Sequence, residues 1–119
     1  MGTDRELPES LLPLPPATFH ILLALADVER HGYAILQDVE QRTGGELKLG
    51  AGTLYRSIAR MVEQGLIAEV TRRRTLADDA RRRYYRITAL GEACARAEMR
   101  RMADLVEVAR QRGLRAEPA

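Results

Sequence analysis

Apolar residues recur along this chain with two different periods, and the switch between them outlines the fold. Within "PPATFHILLALAD", Phe19, Leu22, Leu23 and Ala26 fall at i, i+3, i+4 and i+7, which predicts a first helix opened by Pro15 and Pro16. "HGYAILQDVEQRTGG" predicts a second helix, with Ile35, Leu36 and Val39 inward and Gly44 and Gly45 as its stop. A third is predicted from about Ala51 to Gln64. There Leu54, Ile58, Met61 and Val62 form one stripe, and Gly65 closes the helix where a left-handed residue is needed. Between the second and third helices, "ELKL" alternates and allows one brief strand. Beyond Gly65 the period becomes roughly two. "LIAEVTRRR" sets Leu66, Ala68 and Val70 against Glu69 and Thr71, and "RRRYYRIT" sets Tyr85 and Ile87 against Arg86 and Thr88. The polar "TLADDA" between them makes the pair a hairpin, with Tyr85 in the core and Tyr84 on the surface. From Leu90 to Arg112 the pattern is helical again.

The predicted class is mainly α with a small β-hairpin: a winged helix-turn-helix domain followed by a C-terminal dimerisation helix. Residues 1–13 mix Pro, Glu and Ser without a sustained period and read as a flexible arm. The main folded domain is placed at 14–89, the C-terminal helix at 90–113 and a tail at 114–119. At 119 residues the chain is one domain, long enough to bury roughly two-thirds of its unfolded surface.

Composition removes several function classes. One cysteine, Cys94, excludes a disulfide framework within the chain, and its apolar helical setting reads as a small buried hydrophobe. No Cys/His spacing suggests zinc, so no metal and no cofactor are expected. The longest apolar run, "ILLALA", is too short to cross a bilayer, and "MGTDRELPESLLPLPP" lacks the order of a signal peptide. The expectation is a cytoplasmic protein with no membrane partner. His20 and His31 have no carboxylate or cysteine near them in sequence that suggests a ligand set, and His31 reads as a helix-start residue. Gly44, Gly45, Gly50 and Gly52 do not form a phosphate loop. No nucleophile–base pair or carboxylate pair is apparent, so the chain is not expected to be an enzyme.

Charge changes the picture more. The formal net charge is only +2, yet residues 1–29 carry one arginine against five acids, a net −4. Residues 72–86 carry seven arginines against two aspartates, a net +5. A basic segment of this kind either keeps a hairpin soluble or marks a surface that polyanions select. The third helix bears on that choice, because its stripe leaves Thr53, Arg56, Ser57 and Arg60 on the opposite face. Arginines and hydroxyls on a free helix face are the groups that read a major groove. Helix-turn-helix followed by a basic hairpin is the winged-helix arrangement. The expected DNA contacts are therefore Thr53, Tyr55, Arg56, Ser57 and Arg60 on the helix. Arg72, Arg73, Arg74, Arg81, Arg82 and Arg83 on the hairpin would take phosphates or the minor groove. Tyr55 is expected to pack and to reach a phosphate with its hydroxyl. The competing reading is a winged helix that holds a protein partner and never touches DNA.

The motifs "HGYAILQDVEQRTGGELKLGAGTLYRSIARMVEQGLI" and "RRRYYRITALG" together resemble the PadR family of bacterial transcriptional regulators. The carriers are His31, Gly32 and Tyr33, then Gly52 to Tyr55, then Gly65 to Ile67, and finally Arg83 to Tyr85 with Thr88 to Gly91. The likeness runs from about Leu14 to Leu114, with Ala51 standing where a proline is usual. It implies a winged-helix repressor that binds palindromic operators as a dimer and releases DNA on sensing a small apolar or phenolic effector.

In the last helix Ala95, Met99, Met102, Val106 and Ala109 step by four, three, four and three, a seam for pairing two helices. Leu105 and Val108 widen it beyond what one edge of a small domain covers. A helix folded back on its own domain is the alternative to a homodimer. With one Phe, four Tyr and no Trp, an aromatic cage for an effector is poorly supplied.

Overall fold

Local signals set the ends of most helices. The computed structural model describes residues 8–46, 49–70 and 82–116. Helix α1, Pro16–Ala24, has a proline in its first turn, where the missing N–H would have no intrahelical partner. Helix α2, Gly32–Arg42, is capped by His31, whose Nδ1 accepts the N–H of Ala34 at 3.2 Å. It stops at Thr43, followed by Gly44 and Gly45 at φ 61° and 82°, as their sequence predicts. Helix α3, Ala51–Glu63, ends in a Schellman turn. Gly65, at φ 79°, donates to the Val62 carbonyl at 3.0 Å, and Leu66 donates to that of Met61 at 2.9 Å.

The sheet has three antiparallel strands in the order β1-β3-β2: Arg30–His31, Tyr84–Ile87 and Ile67–Val70. β2 and β3 are the expected hairpin, registered Ile67 opposite Ile87 and Val70 opposite Tyr84. The third strand is Arg30–His31, paired with Tyr85 and Tyr84, and two residues are too few to leave a period. Leu47 and Lys48 of the "ELKL" segment lie outside the described residues, and Leu49 packs into the core. Leu66 is buried as the closing residue of the α3 turn rather than as a strand residue. Tyr85 is buried as expected, and Tyr84 is half-buried.

Helix α4, Ala89–Gln111, begins at Thr88, which ties three elements together. Its Oγ1 accepts the N–H of Gly91 at 3.0 Å and donates to the carbonyls of Gly65 and Leu66. The first half of α4 buries Gly91, Cys94 and Glu98, so the core runs continuously from α1 into α4.

Two expectations need correcting. The stripe read for α1 is out of phase: Leu22 is fully buried, but Leu23 and Ala26 are exposed, while Thr18, Ile21, Ala24 and Leu25 are buried. The helix touches α2, α3 and α4, and a uniformly apolar run has no polar side to fix its phase. The arm expected over 1–13 is docked in its second half. Pro8–Leu11 forms a 3-10 turn against α4, and Leu11 and Leu12 pack on the core. Residues 1–7 lie outside the described residues.

Candidate nucleic-acid interface

Burying Leu54, Ile58 and Met61 turns the other side of α3 outward. Thr53, Tyr55, Arg56 and Arg60 are exposed there and Ser57 is half-buried. Arg56 Nη2 donates to Thr53 Oγ1 at 3.3 Å, which holds the guanidinium along the helix surface. Val62, expected within the buried stripe, is instead 40% exposed at its margin.

Beside this face lies a cleft of about 720 Å³ between the start of α2, the flank of α3 and the strands β2 and β3. Tyr33, Tyr55 and Tyr85 are its aromatic lining, and Glu63, Glu69, Arg82 and Arg83 its charged lining. Tyr55 lies against the backbone of α2: a Cβ placed on Gly32 would stand 2.8 Å from its Cε1 and Oη. His31, in the same wall, meets the ring of Tyr84 edge to face, with centroids 5.3 Å apart. Burial raises the Tyr85 phenol above its usual range, and the Glu69 carboxylate adds to that, while Arg83 opposes it.

Arg82 and Arg83 are exposed at the start of β3. Arg83 Nη1 lies 3.8 Å from Glu69 Oε1 on the facing strand, a solvent-screened pair. Arg72, Arg73, Arg74 and Arg81 lie outside the described residues. Thr53, Tyr55, Arg56 and Arg60 of α3 and Arg82 and Arg83 of the wing are thus exposed, and of the α3 positions Tyr55 lines the cleft together with the two arginines. The sequence reading missed the carboxylates of Glu63 and Glu69 in the cleft and the seat that Gly32 provides for Tyr55. For Glu69 the signal was available in the hairpin register, which sets β2 against β3. For the Gly32 contact there was none, because it joins two helices across the fold.

On α4, Ala95, Met102 and Ala109 are half-buried, whereas Met99, Leu105 and Val106 are each more than half exposed. Val108 is exposed too. Ion pairs Arg96–Glu92 and Arg110–Glu107 flank this strip at 3.7 and 3.8 Å.

The sequence model of the transcriptional regulator PadR-like family matches residues 21–97, from α1 into α4. The chain belongs to that family. Over 88 residues it is 30% identical to a Lysinibacillus sphaericus protein known only as uncharacterized protein X, covering 74% of this chain and 79% of that one. Solved structures share the fold, two of them transcription regulators of the PadR family. A PadR family transcription regulator from hypervirulent Clostridium difficile aligns with a TM-score of 0.68 at 23% identity, over 82% of this chain and 97% of that one. Bacillus subtilis PadR in complex with operator DNA aligns with a TM-score of 0.59 at 17% identity, over 90% of this chain and 51% of that one.

Membership makes this PadR-family chain a transcriptional regulator rather than an enzyme, built on a winged helix with an added C-terminal helix. Among the described residues no helix is long and apolar enough to cross a membrane.

Proposed function

We propose that this PadR-family regulator binds double-stranded DNA as a homodimer and represses transcription from an inverted-repeat operator in the cytoplasm. The observation that carries the reading is the exposed row Thr53, Arg56 and Arg60 on α3, together with the exposed Arg82 and Arg83 of the wing. Arg56 and Arg60 stand one helical turn apart, the spacing with which one helix face follows a groove. Arginine offers paired donors to guanine, and the hydroxyls of Thr53 and Ser57 suit phosphates or base edges. Arg72, Arg73, Arg74 and Arg81 extend the same basic wing in sequence. A B. subtilis protein of the same fold was solved with operator DNA, which supports DNA as the partner.

Dimerisation through Ala95, Met99, Met102, Leu105, Val106 and Ala109 would set two α3 helices about one DNA turn apart, roughly 34 Å. A small apolar or phenolic effector would release the DNA, with Met99 and Met102 as adaptable apolar lining near the twofold axis.

The test is fluorescence anisotropy against DNA from upstream of the protein's own gene, beside a shuffled duplex, at two salt concentrations. Tighter binding to the native DNA with a steep salt dependence is expected. Absence of binding at low salt would overturn the reading in favour of a protein partner.

A further inference from the structure

His31 sits where the three parts of the proposed DNA-binding face meet. Its backbone forms β1 and pairs with Tyr84 at the base of the wing. Its ring packs edge-on against the Tyr84 ring. Its Nδ1 is the side-chain cap of α2, accepting the Ala34 N–H. The next residue, Gly32, is the floor beneath Tyr55 of α3. A displacement of this residue therefore moves the wing base, the start of α2 and the seat of Tyr55 together.

The cap also fixes the protonation state. An Nδ1 that accepts an amide N–H uses its lone pair, so the ring carries its proton on Nε2 and is neutral. Protonation would place a second N–H against the Ala34 N–H and a positive charge at the positive end of the α2 dipole. Both effects oppose the folded arrangement. Imidazoles titrate close to neutral pH, so the exchange lies within reach of ordinary conditions.

Among the described residues, the charges around His31 are of both signs. Glu63 of α3 and Glu69 of β2 share the cleft with Arg82 and Arg83 beside β3, two charges of each sign, and Arg30 adjoins His31 on β1. Carboxylates, guanidiniums and phenols titrate outside the imidazole range. Tyr33, Tyr55 and Tyr84 supply phenols around the ring, and Tyr85 is moved further from that range by its burial.

We propose that His31 is a positioning residue for DNA binding: its neutral imidazole holds α2, the wing and α3 in register, so that acidification weakens the DNA complex. This rests on the DNA-binding reading of the same face. A rival effect has the opposite sign, since an imidazolium on a DNA-binding face would tighten binding by adding a cation.

The experiment compares wild type with His31→Asn between pH 8.0 and 5.5. Asparagine caps a helix through its amide oxygen and does not titrate. The only other histidine, His20, lies against Arg42, and His20→Gln is the control for it. Two readouts are taken: the dissociation constant for fluorescent upstream duplex, and the midpoint of thermal unfolding without DNA. The wild-type complex is expected to weaken about fivefold on acidification, the typical worth of one cap. His31→Asn keeps a cap but loses the ring contact with Tyr84, so its affinity should change less between pH 8.0 and 5.5 than that of wild type, whatever its value at pH 8.0, and His20→Gln should follow wild type. Wild type should also lose more of its unfolding midpoint on acidification than His31→Asn does. Parallel unfolding shifts in wild type and His31→Asn overturn the cap mechanism even where DNA binding is intact. Wild-type binding that holds or tightens on acidification overturns the proposal as well. A difference in unfolding with no DNA binding at any pH overturns the DNA reading and, with it, the regulatory role of His31.

Discussion

Tyr55 of α3 rests its ring on Gly32 of α2, so closely that a Cβ at Gly32 would stand 2.8 Å from Cε1 and Oη of the tyrosine. The contact joins the two helices of the helix-turn-helix at the edge of the cleft. It also explains why a glycine is tolerated in the first turn of α2, where alanine would favour the helix by about 0.5–1 kcal/mol. Gly32→Ala should displace the Tyr55 ring and destabilise the protein by about 1–2 kcal/mol despite that gain. In a Tyr55→Ala background the same change should become neutral or stabilising, because the obstructing ring is gone. Urea denaturation of the four proteins in the cycle reads this directly. An equal loss in both backgrounds would mean that Gly32 is needed for another reason.

The DNA contacts should separate by type. Arg56→Ala or Arg60→Ala should relax sequence preference and lose about 1–3 kcal/mol on the native duplex, as expected for a base contact. Arg82→Ala or Arg83→Ala should weaken native and shuffled duplexes alike and flatten the salt slope by about one. Glu69 adds a change of opposite sign. Its carboxylate lies 3.8 Å from Arg83, a proposed phosphate contact, so Glu69→Gln should tighten binding about twofold to fivefold at low salt. Anisotropy titrations across a salt series measure all of these.

Glu98 is the one buried carboxylate among the described residues, only 3% exposed. It accepts two hydrogen bonds from Arg101, at 2.7 and 2.9 Å. That bonding is the main force holding its carboxyl below the usual value of 4.5, against burial, which acts the other way. A folded-state value below the unfolded one gives stability that is complete above the unfolded value and is lost as pH falls through the folded one. Wild type should therefore lose this contribution below about pH 4.5, whereas Glu98→Gln should lack it throughout. At neutral pH the variant should be less stable by about 1–3 kcal/mol, and the gap should close on acidification. Denaturation at a series of pH values checks both statements.

How much of this was legible depends on whether a residue's surroundings lie close in sequence. Helix α3 was legible because Leu54, Ile58 and Met61 contrast with Thr53, Arg56 and Arg60 within one helix, and Gly65 marks its end. The two paired strands followed from the change of period after Gly65, and Tyr85 followed from parity; the inward parity expected of Ala68 and Val70 in β2 did not hold, because Ile67 is the residue buried there. Helix α1 was misread because "ILLALA" is apolar on every side, so only the packing of three other helices decides which side faces inward. The Arg30–His31 strand is a backbone pairing with β3 and has no pattern of its own. Leu11 and Leu12 precede the first helix without a period, and α4 is what holds them. In the site, the basic and hydroxyl face could be read from spacing alone. The place of Glu63 in the cleft and the Tyr55 seat could not, because both depend on residues from separate elements meeting.

The exposed strip on α4 leads to the last prediction. Met99, Leu105 and Val106 are 55%, 56% and 55% exposed, in a helix otherwise rich in arginine and glutamate. They lie beyond the buried Cys94 and Glu98, where α4 leaves the core, so nothing within the described chain covers them. At 23 residues and about 34 Å, the helix is long enough to pair with a second copy over its outer half. Leu105→Glu and Val106→Glu together should turn the seam polar while leaving the core of the monomer untouched. The expected result is a monomer by analytical ultracentrifugation, with its helical circular dichroism largely retained. Binding to the native duplex should fall by far more than the loss of one contact, because each half-site is then engaged alone. Full dimerisation by the double variant would place the interface elsewhere. A wild-type protein that sediments as a monomer at all concentrations would remove the twofold operator from the reading.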